Sequence, residues 1–355
     1  MSGVAGNELV YAAKKAATWG TAVVAAANDG ILSRPAGIKE SQDVSVDDSL
    51  GLYFPGDGTP GAIKVEGDLP AYMRYDGLDL LIALAMGTAG SPAQQAATTA
   101  YAYTYALANN TDGLFATFVK NMKNYCAEIP SLKIVGFTIK GDVGKPVEIT
   151  FKTIGDRVNK NTSGGQNTTT TMASITIPTV GMANRLMFGQ AVFRIADQSA
   201  GALAAPANVV TPSSFELSFM RKLTGVYGAY TTGVAANNQD LIDEPTNDGM
   251  PEITLKLTFP RHTAVTRLTD LGNDTRKKAD ITFTGGLIAS TYYRTFKLEF
   301  PHLQYKSVDI ADAQGIIQEP VEFVVYGASA APTGMTSTKP FVITGINQRS
   351  TNPLA

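Results

Sequence analysis

Apolar and polar residues alternate along several short segments of this chain. The alternation is most regular at 147–154, 215–219, 253–259 and 296–300, where Val, Ile, Leu or Phe recurs at every second position between Thr, Ser, Lys or Glu. Successive side chains of a strand point to opposite faces, so this period predicts strands with one buried and one solvated face. Such strands are typical of antiparallel sheets that pack face to face or close into a barrel. The sequence therefore predicts a mainly β protein, built as an antiparallel β-sandwich or barrel.

Less regular apolar runs predict further strands, at 131–140, 173–178, 190–196, 279–287 and 320–327. The turn at 140–147 contains Gly, Asp and Pro, which favour chain reversal, so 131–154 is predicted to be a hairpin. Polar or Gly- and Ala-rich stretches predict long loops, at 159–172, 197–214 and 225–250.

Helical periodicity is confined to two short segments. A helix is predicted over 76–86, with Asp76 as its N-cap and Gly87 as its stop, and a second over 263–272. The apolar positions of the first are Leu78, Leu81, Ile82 and Ala85. The architecture thus includes one or two short helices beside the strands.

The composition favours an assembly and argues against a nucleic-acid-binding protein. Charged residues make up 17% of the 355 residues, whereas soluble domains usually have about 25%. This indicates a surface that neighbouring subunits partly cover. The net charge is −2, and a protein that holds DNA tightly normally has a basic surplus. Specific DNA binding is therefore not predicted.

The sequence contains no segment typical of a membrane protein. No run approaches the roughly 18 apolar residues that a membrane-spanning helix requires. The short apolar runs that follow Lys14 and Lys15 are broken by Trp19 and Gly20, so the N-terminus lacks the apolar stretch of a signal peptide. We expect a chain made in the cytoplasm, without a membrane partner.

Residues that could carry chemistry are scarce. The single cysteine, Cys126, is predicted to be a small buried side chain. His262 and His302 each follow a Phe-Pro step at a predicted strand end, where a structural role is favoured. The spacings of zinc, calcium and phosphate-loop sites and of a nucleophile elbow are missing. We expect no catalytic residue, no metal site and no cofactor.

Three polar features also receive structural interpretations. The Gly-rich stretch 55–61 carries no Lys-Ser or Lys-Thr pair and is predicted to be a mobile turn. Asp43, Asp47 and Asp48 are predicted to lie in an acidic solvated loop, and the basic run 276–278 at a solvated helix end or in a charge-complementary contact.

Several motifs occur in an order that is known from one family of viral proteins. "AATWGTAV" at 16–23 is followed by "GAIKVEGDLPAYMRYDGLDLLIALAMGTAG" at 61–90, by serial hairpins, and by a strand, Pro, strand, Gly turn and strand over 296–328. In this order they resemble the major tail tube protein family of long-tailed, siphovirus-like bacteriophages. The likeness is carried by Trp19, Gly20, Thr21, Gly67, Tyr75, Gly77, Leu78, Leu80, Leu81 and Gly87.

The resemblance implies a structural virion protein of the phage tail tube type. Copies would assemble into stacked rings and form the hollow tube in the virion tail. The implied partners are other copies of the chain and the tape-measure, tail terminator and tail-tip proteins. Genomic DNA would pass through the lumen without specific binding, so we expect a neutral to acidic lumen. Free strand edges of neighbouring copies would join into one inner barrel.

The resemblance also implies roles for particular residues. An early hairpin or loop of the family reaches the adjacent ring, which makes the extended segment 39–75 the candidate inter-ring loop. Its candidate contact residues are Asp43, Asp47, Asp48, Tyr53 and Phe54. The helix over 76–86 would close one open end of a sandwich. The candidate residues of this helix and of the core beside it are Trp19, Tyr75, Leu78, Leu81 and Ile82.

The length of the chain is about twice that of one sandwich, which suggests a duplicated architecture. We expect a tail-tube-like N-terminal β half at 1–158, a C-terminal β half at 173–330 and an extension at 331–355. Six copies with large insertions, or three copies with two fused sandwiches, would each complete a ring. The sequence leaves both arrangements open.

The main alternative is a carbohydrate-binding or host-recognition β-protein, such as a fibre, lectin or surface-array module. Such sites usually combine an exposed Trp or Tyr with amides and carboxylates, but the single Trp, Trp19, lies in the tube-like motif. An enzyme on a β scaffold is the third alternative, and the small number of reactive residues disfavours it.

Overall fold

The computed structural model describes residues 9–26, 28–49, 53–54, 58–122, 126–160, 175, 184–227, 241–313 and 315–355. Within these ranges the chain is mainly antiparallel β-structure with two short α-helices. The predicted strand at 173–178, apart from Ile175, and nearly all of the predicted loop at 159–172 lie outside the described residues.

The strands of the first half alternate between short pieces and long ribbons. They are β1 (Val10–Ala16), β2 (Gly30–Ile31), β3 (Lys39–Val46), β4 (Gly58–Tyr72), β5 (Ala93–Gln94), β6 (Tyr101–Ala106), β7 (Phe115–Asn121), β8 (Cys126–Asp142), β9 (Glu148–Gly155) and β10 (Asn159–Lys160). Helix α1 (Asp79–Met86) lies between β4 and β5. The predicted hairpin over 131–154 is confirmed, because β8 pairs antiparallel with β9.

The second half continues in the same manner. Its strands are β11 (Ala191–Asp197), β12 (Val209–Val210), β13 (Ser214–Met220), β14 (Leu223–Thr224), β15 (Thr246–Asn247), β16 (Glu252–Phe259), β17 (Lys277–Ala289), β18 (Tyr292–Val308), β19 (Ala311–Ala313), β20 (Ile316–Tyr326) and β21 (Val342–Asn347). Helix α2 (Thr266–Gly272) confirms the second predicted helix. The strands predicted from strict alternation are all present.

Two strands of 17 residues each, β8 and β18, organise the sheet. β8 pairs first with β7 and then with β9 and β13, while β18 pairs with β17 on one edge and with β21 and β20 on the other. β13, β16 and β20 connect the two long strands through continuous pairing. The two expected halves therefore share one hydrogen-bonded sheet, and their division at 158 and 173 stays a prediction.

The buried faces of these strands form one continuous hydrophobic core. At its centre the ring of Phe137 lies 6.2 Å from Phe151, 5.4 Å from Phe219 and 6.2 Å from Phe341, all edge to face. These rings come from β8, β9, β13 and the segment before β21, so the core joins distant parts of the sequence. Such aromatic contacts add to the stabilisation that burial of the ring area supplies.

Helix α1 begins later than predicted and has a different N-terminus. The predicted Asp76 cap is wrong, because Leu78 occupies the N-cap position without a side-chain hydrogen bond. Asp76 instead accepts the Gln348 N–H at 2.9 Å and faces Arg294 at 3.4 Å. These partners lie more than 200 residues away, so no local pattern could identify them.

The end of helix α1 agrees with the sequence. Gly87 adopts a left-handed conformation with φ of 85°, and its N–H donates to Ala83 at 2.8 Å. Every residue of the helix except Leu80 is buried. A helix that is apolar on all sides belongs inside a core, and this one packs against β8, β6 and β1.

One histidine is placed differently from the prediction. His302 lies inside β18 and not at a strand end, because Pro301 is accommodated within the strand. The pairing of β17 with β18 shifts register between Lys277 and Ala279, opposite this site. Proline has no N–H to donate to a neighbouring strand, but a bulge leaves one residue unpaired and so accommodates it. The strand therefore continues through Pro301.

Candidate assembly surface

The hairpin of β3 and β4 projects beyond the rest of the sheet. β3 pairs with β4 from Lys39 opposite Glu66 to Val46 opposite Gly58, whereas β9 covers β4 only from Val65 onward. We call residues 41–49, 53–54 and 58–64 the arm. All eight residues of β3 are exposed. A two-stranded ribbon is at best marginally stable in water, so the arm is suited to a contact with another surface.

Polar contacts hold the two strands of the arm together. Asp43 pairs with Lys64 at 2.8 Å, and the Gln42 side-chain amide donates to the Gly61 carbonyl at 3.2 Å. The pairing shifts register between Gln42 and Val44, so Asp43 sits at a bulge. The predicted acidic loop is therefore wrong for Asp43, which lies within β3. A bulge twists an edge strand and protects it from indiscriminate pairing.

The outer end of the arm combines aromatic and acidic residues, and we call residues 47–49 and 53–54 the arm tip. Tyr53 is 96% exposed and Phe54 is 84% exposed. Asp47 and Asp48 follow the last residue of β3, and hydrogen bonds from Ser49 lower the pKa of Asp47. Large exposed aromatic side chains on a projecting ribbon make the arm tip a candidate interaction site. The structure thus brings together the five candidate contact residues, all of which are on the arm.

The predicted mobile turn at 55–61 is only partly described. Gly58 to Gly61 lie in β4, where they pair with β3, so this part is a strand and not a turn. Residues 55–57 lie outside the described residues. The ladder between the two strands extends to Gly58, so the arm stays paired over most of its length.

A second exposed hairpin is formed by β19 and the start of β20. Ile310, Ile316 and Ile317 are each about half exposed, with values of 51–52%. Sequence reasoning assigned them no role, although the adjacent Ile316 and Ile317 after Gly315 break the alternation that a strand with one buried face would show. This apolar group is a second candidate contact of the chain.

A small cleft lies at the base of the arm. Its volume is about 200 Å³. The apolar part of its lining includes Ile38, Phe118 and Ile129, and its charged part includes Lys39, Lys120, Lys160 and Glu40. These residues come from β3, β7, β8 and β10 and from the segment before β3, so the cleft could not be recognised along the sequence.

The turn at Trp19 is fixed by contacts to distant strands. The Trp19 indole N–H donates to the Ile242 carbonyl at 3.0 Å, and its ring meets Phe115 edge to face at 5.2 Å. Gly20 has φ of 76°, and its N–H donates to the Ser131 hydroxyl at 2.9 Å. Trp19 is consequently engaged in intramolecular contacts.

The other motif residues lie in the core around helix α1. Tyr75, Leu78, Leu81 and Ile82 are all buried, and the Tyr75 hydroxyl donates to Gln190 at 3.0 Å. Beside them the carboxylate of Asp79 accepts hydrogen bonds from the Tyr105 hydroxyl and the Asn347 amide, each at 2.9 Å. This buried network joins the helix to β6 and β21, and sequence reasoning did not identify it.

Asp156, beside the Trp19 turn, should make stability depend on pH. Burial raises its pKa to about 6, although its carboxylate accepts the Ser131 N–H at 3.1 Å. A carboxyl with a higher pKa in the folded state binds more protons when folded, so stability falls as pH rises from about 4 to about 6. Between these two pH values we expect the free energy of unfolding of the wild type to fall by roughly 2 kcal/mol relative to that of the Asp156→Asn variant.

Urea unfolding of both proteins at several pH values measures this difference directly. The Asp156→Asn variant keeps an acceptor oxygen but has no carboxyl group that titrates. The contributions of all other titrating groups therefore cancel when the two proteins are compared. Stability curves that remain parallel from about pH 4 to about pH 6.5 would contradict the assignment.

Cys126 and His262 lie in surroundings that are typical of structural residues. Cys126 is fully buried, and burial raises the pKa of its thiol to about 11. The His262 ring lies 3.6 Å from the Glu319 carboxylate, which pairs with Arg267 at 2.6 Å. Among the described residues, no group of three or more metal-ligating side chains is suited to hold an ion. In the same part of the chain, no helix has the length and apolar character needed to span a bilayer.

The basic run at 276–278 makes internal contacts. Lys277 pairs with Asp197 at 2.6 Å and with Asp270 at 2.8 Å, as the prediction of a charge-complementary contact required. Lys278 is buried, and its ammonium group donates to the carbonyls of Ala200 and Thr333. Neither of these two lysines is available as part of a basic binding surface.

Comparison with known proteins identifies one family. A family model described as phage tail tube protein matches residues 6–325, which is nearly the whole chain. No curated protein shows a significant match to the chain.

Proposed function

The chain belongs to the phage tail tube protein family, and we propose that the arm is the contact through which its copies join along the tube. Members of this family are structural proteins of the virion tail, and self-assembly into a tube is their function. The single observation that supports the role of the arm is its projection beyond β9 with Tyr53 and Phe54 almost fully exposed.

The free strand edges supply the second element of the proposed assembly. Among the described strands, several have a single partner, namely β2, β3, β5, β10, β12 and β19, and β14 and β15 pair only with each other. Unpaired backbone groups on an edge favour pairing with another chain. Edges of neighbouring copies would join into a continuous inner barrel, and the net charge of −2 per copy would leave the lumen without strong attraction for DNA phosphates.

The number of copies in a ring follows from the proposed duplication. β8 and β18 have the same length, and each lies between hairpin neighbours in a meander, β7 to β9 in the first half and β17 to β20 in the second. This similarity supports two related halves, 1–158 and 173–330, and hence three copies per pseudo-sixfold ring. Contacts with tape-measure, tail terminator and tail-tip proteins belong to the same proposal.

The environment of the single tryptophan gives the carbohydrate-binding alternative no support. Its best candidate, Trp19, donates its indole N–H to Ile242 and packs on Phe115. A glycan-binding aromatic residue would need a free face and nearby polar groups.

Negative-stain electron microscopy of the purified full-length chain tests self-assembly. We expect rings or hollow rods that become longer and more frequent as the protein concentration rises. Single particles of monomer size at every concentration and salt condition would refute self-assembly of the chain by itself. Sedimentation of the same samples gives the assembled fraction.

A further inference from the structure

We propose that the arm tip of one copy inserts into the cleft at the arm base of the next copy. This inference rests on the proposed function, and it adds the receptor to which the arm binds. The tip presents Tyr53, Phe54, Asp47 and Asp48, and the cleft presents an apolar floor with three lysines at its rim.

The tip cannot reach the cleft of its own chain. Glu40 lines the cleft, and the ladder between β3 and β4 continues from there to Val46 opposite Gly58. Six residues of extended strand span about 20 Å, so the intact ribbon holds the tip at that distance from its own cleft. A tip that occupies the cleft must therefore come from another copy.

The cleft has the size of one aromatic side chain. A cavity of about 150 Å³ lined by apolar side chains accommodates benzene, whereas sites for drug-sized ligands have about 300 Å³ or more. The cleft volume is about 200 Å³, and Phe118 and Ile129 in its lining are buried parts of the core. A phenyl or phenol ring from Phe54 or Tyr53 would fill it and lose its contact with water.

The charges of the two surfaces are complementary. Lys39, Lys120 and Lys160 contribute three positive charges to the cleft lining and Glu40 one negative charge, which leaves an excess of two positive charges. On the arm, Asp43 is already paired with Lys64. Asp47 and Asp48, on the same arm tip as the two aromatic residues, therefore provide two negative charges that no described lysine or arginine neutralises. Opposite charges around an apolar centre fix the register of an interface and suppress wrong pairings.

The two surfaces are different parts of one chain, so the contact is heterologous. A heterologous contact that does not close on itself generates an open, repeating assembly. Each copy uses its tip toward one neighbour and its cleft toward the opposite neighbour. This polarity is what a tube of stacked rings requires.

Disulfide cross-linking between variants that each carry one introduced cysteine, in addition to the buried Cys126, tests the docking. Phe54→Cys places a thiol on the tip, and Val158→Cys places one in the cleft lining. We expect an oxidised mixture of the two full-length variants to give covalent dimers at least about tenfold more abundant than either variant gives alone, because disulfides form only when the Cα atoms approach within about 7 Å. A mixture of Phe54→Cys with Met250→Cys is the matched control, since Met250 is 87% exposed and outside the cleft.

Charge reversal gives an independent measurement on the same contact. Asp47→Lys combined with Asp48→Lys should raise the protein concentration needed for assembly by about tenfold, and adding Lys39→Glu and Lys120→Glu to the same chain should restore most of it. Microscopy of the wild type separates the two proposals. Wild-type tubes with no cross-link above the control and no rescue would overturn the docking alone, whereas absence of wild-type tubes would overturn the proposed function.

Discussion

Replacing both Tyr53 and Phe54 by serine should leave the chain folded and prevent it from forming tubes. Both side chains are almost fully exposed in the single copy, so their removal takes nothing from the core. Surface substitutions of this kind change the free energy of unfolding by about 0.5 kcal/mol or less. In the assembly at least one of the two rings would be buried, and burial of an aromatic side chain contributes about 2 kcal/mol.

The loss at one contact is therefore at least about 2 kcal/mol, or roughly thirtyfold in its equilibrium constant. The contact recurs between successive copies along a tube, so the losses of free energy combine over the assembly. We therefore expect no tubes by electron microscopy and no assembled fraction in sedimentation. Thermal unfolding of the variant should match the wild type. A control variant, Met250→Ser combined with Val265→Ser, removes two other exposed apolar side chains and should still assemble. Tubes of normal yield from the Tyr53 and Phe54 variant would contradict the role of the arm.

Replacing Arg221 by methionine should lower the free energy of unfolding more than any other substitution proposed for this chain. Arg221 is 4% exposed, and its guanidinium donates to the carbonyls of Ala85 at 3.2 Å, Met86 at 3.0 Å and Ala108 at 3.0 Å. Two of these carbonyls belong to the last turn of helix α1, where the helix dipole is negative. Burial lowers the pKa of Arg221 to about 10, so it remains charged at neutral pH.

Methionine would fill much of the same space but would donate no hydrogen bond. Leaving buried carbonyls without these donors costs about 1–3 kcal/mol for each group, and we expect about 3–5 kcal/mol in total by urea unfolding. The neighbouring Lys222 is the matched control, because its side chain is exposed and pairs only with the exposed Glu252 among the contacts described. Lys222→Met should change the free energy of unfolding by less than about 1 kcal/mol. Equal effects of the two substitutions would show that Arg221 does not hold the helix.

The two arm-tip aromatic residues and Arg221 differ in how much the sequence reveals about them. Tyr53 and Phe54 were identified through the resemblance to tail tube proteins, and the structure places both on the projecting arm. Arg221 follows a regular strand and carries no local signal, because its partners lie 113 to 136 residues away. Asp76 failed as a predicted cap for the same reason, since Gln348 and Arg294 compete for its carboxylate.

The cleft illustrates a further limit. Ile38 and Lys39 precede the arm, whereas Lys120 and Lys160 lie on strands that reach the same place only through the pairing of β7, β8 and β10. Each lysine taken alone indicates an ordinary solvated side chain. Their shared position around an apolar floor is a property of the sheet register, which the sequence pattern does not reveal.

The sequence by itself determined the strand-rich fold, because alternation with a period of two depends only on which face of a strand is buried. It also determined the end of helix α1, since Gly87 alone satisfies the left-handed conformation there. The tertiary structure alone decided where β3 and β4 leave the sheet, which charges remain unpaired on the arm and which distant residues line the cleft. These features depend on contacts between residues far apart in the chain, and local periodicity carries no information about such contacts.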